Sequence, residues 1–328
     1  MKAVVCRAWG PPESLVIEDR PPLEAGPGTV VVSVKAANVK FSDTLIIQNK
    51  YQTTPELPLI PGGEVAGVVK AVGAGVEGWK VGDRVSGQAS SGGYAEEAIV
   101  GTDRLLGIPD SMDYATAAGA ASTYGTAYYA LIDRGQLRAG ETLLVLGASG
   151  GVGLAAVEIG KVLGARVIAC ASTEEKLAVC RQHGADETIN YTTEDMRARV
   201  KAMTKGKGLD VVYDPVGGPY SEPALRDMAW GGRFLVIGFA AGDIPKVSLN
   251  LPLVKGCSIV GVWIGAFAKR DPARHRANTL ELWKWLAQGK LKPHVWGTYP
   301  LEKAADALNA LARRQVAGKV VLTTGSHS

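Results

Sequence analysis

The stretch LLVLGASGGVGLAAVEIGKVLGARVIACAS, residues 143–172, constrains the fold of this chain more than any other. Two apolar runs enclose a loop of glycines and small residues, Gly147-Ala148-Ser149-Gly150-Gly151-Val152-Gly153. The first run suits a short buried strand, the residues from Gly151 onward suit a helix, and the second run suits another strand. Together they predict one strand–helix–strand unit of a parallel sheet.

The glycine loop also predicts a ligand. Glycines permit the sharp turn and remove Cβ atoms where a pyrophosphate must approach the backbone. The helix that follows offers free N–H groups and the positive end of its dipole to that anion. Because the loop lies between a predicted strand and a predicted helix, we expect it to bind a dinucleotide cofactor.

The end of the second apolar run bears on which dinucleotide is bound. Sheets specific for NAD usually place an acidic residue about 20 positions beyond the glycines, where it binds the ribose 2′-hydroxyl. This run ends without an acid, and Ser172 and Lys176 instead offer a hydroxyl and a cation near a helix start. These groups suit a 2′-phosphate, so the sequence favours NADPH over NADH, although Glu174 and Glu175 lie alongside.

The pattern of apolar residues and glycines changes along the rest of the chain. Residues 1–120 contain short β-prone runs separated by glycines, which predicts a compact β-rich unit. Over residues 121–264 apolar strands alternate with helical segments, which predicts a parallel sheet covered on both faces. Two helices and a terminal strand follow in residues 265–328. The length of the chain also favours more than one core.

Composition excludes several classes of protein. The chain is 46% hydrophobic and 21% charged, and its net charge of +4 is dispersed, so we expect neither nucleic-acid nor membrane binding. The N-terminal residues lack the apolar core of a secretory signal. The four cysteines lie far apart and form no CxxC pair, which favours reduced thiols and a cytoplasmic protein.

A zinc site is not expected from the distribution of ligands. Zinc needs three or four Cys, His or carboxylate ligands, often at short spacings. Residues 30–70 contain neither Cys nor His, and the histidines are scattered along the chain at His183, His275, His294 and His327. Without a metal ion to polarise a carbonyl group, acceptors already activated by conjugation need the least help.

Several stretches resemble the medium-chain dehydrogenase/reductase superfamily, in its zinc-free quinone oxidoreductase branch of zeta-crystallin-like enzymes. They span nearly the whole chain and are FSDTLIIQNKYQTTPELPLIPGGEVAGVV, VGAGVEGWKVGDRV, TYGTAYYAL, GASGGVG, DPVGG and GRFLVIGFAAGDIP. Zinc-dependent relatives carry a Cys near position 40 and a His before the Glu of the glycine stretch. This chain has Lys40 and Gly63 there, which agrees with the distribution of ligands.

The resemblance implies an α/β fold with two domains. A GroES-like, β-rich catalytic domain would comprise residues 1–120 and a return of the chain over residues 265–328. A Rossmann domain with a doubly wound parallel sheet, residues 121–264, would bind NADPH. The active site of the family lies in the cleft between the two domains.

The resemblance also implies which residues bind NADPH. The pyrophosphate would be bound by Ser149, Gly150, Gly151 and Val152. The adenosine 2′-phosphate would be bound by Ser172 and Lys176, with Tyr191 packed nearby. The residues expected near the nicotinamide are Thr126, Gly238, Phe239, Ala240, Trp263 and Ile264.

Two residues are candidates for the substrate side. Relatives commonly have Asn where this chain has Lys40, and a cation there suits an anionic or carbonyl-bearing substrate or polarises a carbonyl. The alternative for Lys40 is a solvated side chain or an ion pair with Asp43. Tyr51 matches a tyrosine that lines the substrate pocket of relatives, where it either donates a hydrogen bond or only packs.

We therefore predict an NADPH-dependent, zinc-independent oxidoreductase that transfers a hydride to a quinone or an α,β-unsaturated carbonyl compound. Two alternatives stay open. An enoyl-CoA reductase would use the basic stretch AKRDPARHR, residues 268–276, to bind CoA phosphates. A sensor or structural protein would bind NADPH with little turnover. By the same resemblance, the apolar strand CSIVGVWIG, residues 257–265, is expected to pair with its twin in a homodimer.

Overall fold

The computed structural model describes residues 1–52, 54–90 and 92–325, and the chain divides into two compact units. The first, which we call the β-rich unit, comprises Met1–Ser122 and the residues from His294 onward. The second, the parallel-sheet unit, comprises Thr123–Pro293. None of the helices that the structure describes is both long enough and apolar enough to span a membrane.

The first part of the chain is dominated by strands. Its elements are, in order, β1 (Lys2–Val5), β2 (Val16–Asp19), β3 (Thr29–Val39), α1 (Phe41–Ile46), β4 (Glu64–Val72), β5 (Arg84–Ala89), β6 (Glu97–Gly107) and α2 (Tyr114–Tyr128).

Strands and helices then alternate. The elements are β7 (Thr142–Val145), α3 (Gly151–Val162), β8 (Arg166–Ala171), α4 (Glu174–Gln182), β9 (Glu187–Asn190), α5 (Met196–Met203), β10 (Leu209–Asp214), α6 (Ser221–Arg226), β11 (Met228–Val236), α7 (Asn250–Lys255), β12 (Ser258–Gly261), α8 (Ile264–Arg270) and α9 (Pro272–Ala287). The chain closes with β13 (Val295–Pro300), α10 (Ala304–Ala312) and β14 (Lys319–Thr323).

The β-rich unit is built around β3. Its six-stranded sheet has the order β13-β14-β3-β4-β5-β6, and β3 also pairs with β6, which closes the last four strands on themselves. Most valines of these strands are buried, as are Ala304, Ala307 and Leu308 of α10. Because those three residues follow helical spacing, one face of α10 covers the core.

The parallel-sheet unit has six strands in the order β12-β11-β10-β7-β8-β9, all of them parallel. Strand β7, the first strand of this unit in chain order, lies in the middle of the sheet, so the strand order reverses between β7 and β10. Apolar residues fill β7 and β8, as expected for strands covered on both faces. Ligands of such sheets bind at the carboxyl ends of the strands, next to the point of reversal.

Residues 265–293 belong to the parallel-sheet unit because of the contacts that α8 and α9 make. The ring of Phe267 on α8 stacks on Tyr129, with the ring centroids 4.1 Å apart. The Asp133 carboxylate accepts hydrogen bonds of 2.6 Å from both Arg274 and Asn278 of α9. In the structure the chain returns to the β-rich unit at His294. The sequence had predicted this return at residue 265.

The predicted strand over residues 257–265 is also shorter than expected. Strand β12 ends at Gly261, and α8 begins at Ile264 with Trp263 as its N-cap. The apolar composition of this stretch therefore serves both a strand and the start of a helix, which periodicity alone does not separate.

Candidate functional site

The carboxyl edge of the parallel sheet collects most of the predicted cofactor residues. The register aligns the strand ends, because Val145 pairs with Ala169 and Tyr213, and Tyr213 pairs with Leu235. The loops that follow these strands carry the glycine loop after β7, Ser172 after β8, Gly238–Ala240 after β11 and Trp263 after β12. The sheet therefore presents these loops on one edge.

The glycine loop has the geometry of an anion site. Gly147 adopts a φ of +57°, and the N–H of Gly150 returns to its carbonyl oxygen at 3.0 Å. A Cβ on Gly153 would lie 2.4 Å from the same oxygen, so only glycine allows α3 to begin this close to the loop. Ser149 is buried, whereas Gly151 and Val152 are half-buried.

The N-terminus of α3 has no side-chain cap. Its N-cap is Gly150, and no side chain of the described residues bonds to its first turn. The side chains of Thr173, Asp195 and Asp271 cap α4, α5 and α9, whereas the shorter helices α6, α7 and α8 also lack a side-chain cap. The first-turn N–H groups of α3 are left to an external acceptor, so these residues fit the pyrophosphate of a dinucleotide.

Ser172 and Lys176 lie together after β8, as the proposed 2′-phosphate site requires. The Lys176 ammonium lies 3.4 Å from the Ser172 hydroxyl. The Thr173 hydroxyl accepts a hydrogen bond from the Lys176 N–H and so caps the N-terminus of α4. Glu174, which could oppose a phosphate, is ion-paired with Arg181. This corner therefore combines a cation and a hydroxyl with one neighbouring acid already neutralised.

Tyr191 lies beside this corner and packs on a second tyrosine. Its N–H donates to the Ala171 carbonyl at 3.2 Å, and its ring lies 4.3 Å from that of Tyr220. The sequence prediction missed Tyr220. The sequence does contain a signal for it. Tyr220 comes just after the DPVGG motif that follows β10, and a residue there lies at the same edge of the sheet.

Asp214 organises the loops after β10 and β11. One carboxylate oxygen accepts from the N–H groups of Val216 and Gly217, both at 2.8 Å, and the other accepts from the Ser221 hydroxyl at 2.5 Å. The N–H of Gly238 donates to the Asp214 carbonyl at 3.3 Å. This buried aspartate, which the sequence analysis did not single out, therefore fixes the backbone on which Gly238 lies.

The other predicted nicotinamide residues are spread over three elements. Phe239 and Ala240 follow Gly238 in the exposed loop after β11. Trp263 is 65% exposed and Ile264 is half-buried at the start of α8. Thr126 lies on α2 and is half-buried. The structure thus brings Gly238, Phe239 and Ala240 into one loop, with Trp263 at the end of the adjacent strand.

In the β-rich unit, Lys40 lies between β3 and α1 and is half-buried. Burial alone would lower the pKa of Lys40, but the nearby Glu64, Asp43 and Tyr51 outweigh it and raise that pKa. The Asp43 carboxylate accepts from the Lys40 backbone N–H and from the Tyr94 hydroxyl, both at 2.9 Å. Lys40 is therefore a charged ammonium within the electrostatic reach of Tyr51, the other predicted substrate residue.

Two further charged residues of this unit escaped the sequence prediction. Glu64 is 2% exposed, and its carboxylate accepts from the Asn38 side-chain amide at 2.8 Å and from the Ser122 N–H at 2.7 Å. Lys319 is also buried, and its ammonium donates to the Gly119 carbonyl. A charged residue at the start of an otherwise apolar strand is the sequence signal that both share.

The fold and this edge define a class: a two-domain, nucleotide-dependent dehydrogenase. Residues 26–129 match the alcohol dehydrogenase GroES-like domain, and residues 151–284 match the zinc-binding dehydrogenase family. A quinone oxidoreductase-like protein 2 homolog from Nematostella vectensis is 40% identical over 327 residues, which cover 98% of this chain and 89% of that protein.

Solved structures have the same fold. Escherichia coli quinone oxidoreductase complexed with NADPH is 30% identical, with a TM-score of 0.91 over 98% of this chain and 100% of that one. An NAD-dependent alcohol dehydrogenase is 33% identical, with a TM-score of 0.89 over 99% of this chain and 100% of that one. The chain belongs to the medium-chain dehydrogenase/reductase superfamily, in its quinone oxidoreductase branch.

The described residues offer no grouped set of ligands for a zinc ion. Over residues 1–52, 54–90 and 92–325, no three His, Cys, Asp or Glu side chains are grouped to hold a metal. His327 lies outside the described residues. Where zinc-dependent relatives supply a thiolate, this chain has the Lys40 ammonium, which has no lone pair to donate to a metal.

Proposed function

We propose that the chain is an NADPH-dependent, zinc-independent oxidoreductase that reduces a quinone or an α,β-unsaturated carbonyl compound. The observation that carries the proposal is the carboxyl edge of the parallel sheet, where the uncapped N-terminus of α3 suits the pyrophosphate of NADPH and the Ser172–Lys176 pair suits its 2′-phosphate. The E. coli quinone oxidoreductase that shares this fold is complexed with NADPH.

The fold does not decide between NADPH and NADH, since an NAD-dependent alcohol dehydrogenase shares it. The residues after β8 support NADPH. An ammonium and a hydroxyl 3.4 Å apart can both donate to one phosphate, and the absence of an acid at the end of β8 leaves the ribose 2′-hydroxyl of NAD without its usual acceptor.

On the substrate side we assign donor roles to Lys40 and Tyr51. When bound, NADPH supplies the hydride, and the acceptor oxygen gains negative charge. A fixed ammonium stabilises that charge, and the Tyr51 hydroxyl is suited to donate a second hydrogen bond. We infer that the reaction needs no zinc, because Lys40 and Gly63 replace metal ligands and an ammonium can polarise the acceptor.

The enoyl-CoA alternative has less support. Of the basic residues in the 268–276 stretch, Arg274 is committed to Asp133 at 2.6 Å. Its guanidinium would have to leave a carboxylate whose side chain is 7% exposed before it could bind a CoA phosphate. We therefore expect quinones and simple enones to be better acceptors than CoA thioesters.

Activity of the EDTA-treated protein tests the proposed function. We expect NADPH oxidation with 1,4-benzoquinone, 9,10-phenanthrenequinone or a plain enone, and a lower kcat/KM with crotonyl-CoA. A higher kcat/KM with crotonyl-CoA would establish the enoyl-CoA reductase instead. Tight NADPH binding with no acceptor reduced would establish the sensor alternative, and activity that returns only with added zinc would refute zinc independence.

We also propose that the protein is a homodimer of the cytoplasm. The edge strand β12 and its surroundings expose large apolar side chains: Trp230, Leu253, Val254, Ile259 and Trp263. Such a surface next to an unpaired strand edge favours pairing with a second copy. Light scattering should give twice the mass of one chain, and the Ile259→Lys variant should give the mass of one chain.

All four cysteines are free thiols, which suits a reducing compartment such as the cytoplasm.

A further inference from the structure

We propose that Lys319, Glu64 and Lys40 form a charge network in the β-rich unit, and that the charge on Lys319 sets the turnover rate of the reaction that Lys40 assists. The proposal rests on the role given to Lys40 in the proposed function.

The strand register brings the three charges to one end of the sheet. Strand β3 lies between β14 and β4. Val320 of β14 pairs with Val39, and Val65 of β4 pairs with Ala37. Lys319 therefore comes just before the residues of β14 that pair with β3, at the end where Lys40 follows β3, and Glu64 begins β4 at the same end. Three residues distant in sequence are neighbours because of this pairing.

A glycine makes room for the Lys319 side chain. A Cβ on Gly119 would lie 2.7 Å from the Lys319 Nζ, whereas a Cβ on Gly63 would lie 3.4 Å from the Lys40 Nζ, in ordinary contact. Gly119 lies within α2, where glycine costs about 1 kcal/mol relative to alanine. Glycine occupies this helical position because the Lys319 side chain lies where a Cβ would be.

Glu64 interacts electrostatically with both lysines. Its two carboxylate oxygens accept hydrogen bonds from Asn38 and Ser122, which orient the carboxylate. Glu64 contributes to raising the pKa of Lys40. It opposes the effects of burial and of the Lys40 charge on Lys319, but these prevail and lower the pKa of Lys319 to about 7.

Near neutral pH the network therefore has one constant and one variable cation. Lys40 stays charged, whereas Lys319 gains or loses its proton. The groups that face Lys319 include Glu64 on β4, Lys40 after β3, the Gly119 carbonyl on α2 and the His294 carbonyl before β13, which accepts the Lys319 N–H at 3.0 Å. The His294 ring lies next to Gly318, the residue before Lys319.

The proton on Lys319 should raise the turnover rate. A second buried positive charge beside Lys40 adds to the stabilisation of an acceptor oxygen that becomes negative in the transition state. As pH rises through about 7 this charge is lost. We expect kcat to fall by about threefold to tenfold across that step, with a smaller change in KM.

The test is the pH profile of kcat and KM for NADPH-dependent quinone reduction in the intact protein. Lys319→Met should give a flat profile at the high-pH level of the wild type. Lys319→Arg, which keeps its charge, should give a flat profile at the low-pH level. Glu64→Gln should move the midpoint to lower pH, because Lys319 loses its only carboxylate neighbour in the network. Lys35→Met, an exposed lysine of β3, is the matched control and should keep the wild-type profile.

A wild-type step that survives in both Lys319 variants would overturn the inference while leaving the proposed function intact. If instead no acceptor is reduced, the proposed function fails, and the network is tested directly by NMR titration of ¹³C-labelled lysine side chains. A signal that titrates near pH 7 and is missing from the Lys319→Arg spectrum supports the network. Its absence refutes it, and this readout remains decisive where Lys319→Met does not fold.

Discussion

The ammonium of Lys176 lies 3.4 Å from the hydroxyl oxygen of Ser172, so the first turns of α4 and the end of β8 share one polar corner. The backbone fixes this relationship. The Lys176 N–H donates to the Thr173 hydroxyl that caps the helix, and the Thr192 hydroxyl donates to the Ser172 carbonyl at 3.0 Å. A group bound to this corner meets donors that are already oriented.

Replacing Lys176 should therefore separate the two cofactors. A charge-assisted hydrogen bond contributes about 1.5–3 kcal/mol, so Lys176→Met should weaken NADPH binding about 10-fold to 100-fold. Binding of NADH, which has no 2′-phosphate, should change by less than about twofold on the same grounds. Calorimetric titration with both nucleotides measures this. Lys201→Met on α5 is the control, and equal weakening of both nucleotides by Lys176→Met would contradict the assignment.

Two glycines of the parallel-sheet unit should respond in opposite ways to alanine. In Gly153→Ala the new Cβ would meet the Gly147 carbonyl oxygen at 2.4 Å, which should cost about 1–3 kcal/mol of unfolding free energy and weaken NADPH binding. In Gly125→Ala, within α2, no described atom lies within 4 Å of the new Cβ. That variant should gain about 0.5–1 kcal/mol from helix propensity.

Urea unfolding of both variants, with NADPH titration of the folded proteins, measures these effects. A Gly153→Ala protein as stable as the wild type would show that α3 can move away from the loop. It would then remove the steric argument for glycine at this position.

Local patterns predicted the elements at the carboxyl edge of the parallel sheet, whereas cofactor binding there stays a prediction. The glycine loop, α3 and the start of α4 near Ser172 and Lys176 depend on residues within a few positions of each other, and the sequence predicted each of them. The end of β8 was predicted for the same reason. The start of a helix and the end of a strand can be predicted without information from distant parts of the chain.

Features that depend on distant residues were not predicted. The assignment of α8 and α9 to the parallel-sheet unit depends on the contacts of Asp133 with Arg274 and Asn278, about 140 positions away. The network of Lys40, Glu64 and Lys319 depends on the register of three strands. Neither can be seen in periodicity, because a strand's pattern gives its faces and not its partners.

Two buried tyrosines give a sharp test of the hydrogen bonding in the parallel-sheet unit. The Tyr124 hydroxyl donates to Glu158 at 2.9 Å, and Glu158 also accepts from the Lys292 N–H and contacts His183. The Tyr213 hydroxyl is buried and has no hydrogen-bond partner in the described part of the chain. The two side chains are the same, so their surroundings decide the effect of removing the hydroxyl.

Tyr124→Phe should therefore destabilise the protein by about 1.5–3 kcal/mol, since a hydrogen bond to a carboxylate is lost. Tyr213→Phe should be neutral or should stabilise it by about 1 kcal/mol, since an unsatisfied polar group leaves the core. Urea unfolding at constant pH compares them. A marked loss of stability in Tyr213→Phe would indicate that a buried water or another group satisfies this hydroxyl.

The stability of the protein should rise with pH above neutrality because of Lys319. Its pKa is about 7 in the folded protein, where burial is the main cause, against 10.5 for an unperturbed lysine. Between these values the unfolded chain binds more protons than the folded one, so the unfolding free energy increases by up to about 1.4 kcal/mol per pH unit. Lys319→Met removes this contribution and leaves those of other groups. In urea unfolding at pH 6.5, 7.5, 8.5 and 9.5, the wild type should gain stability relative to the variant at each step above pH 7, whereas parallel curves would show that the Lys319 ammonium stays protonated in the fold.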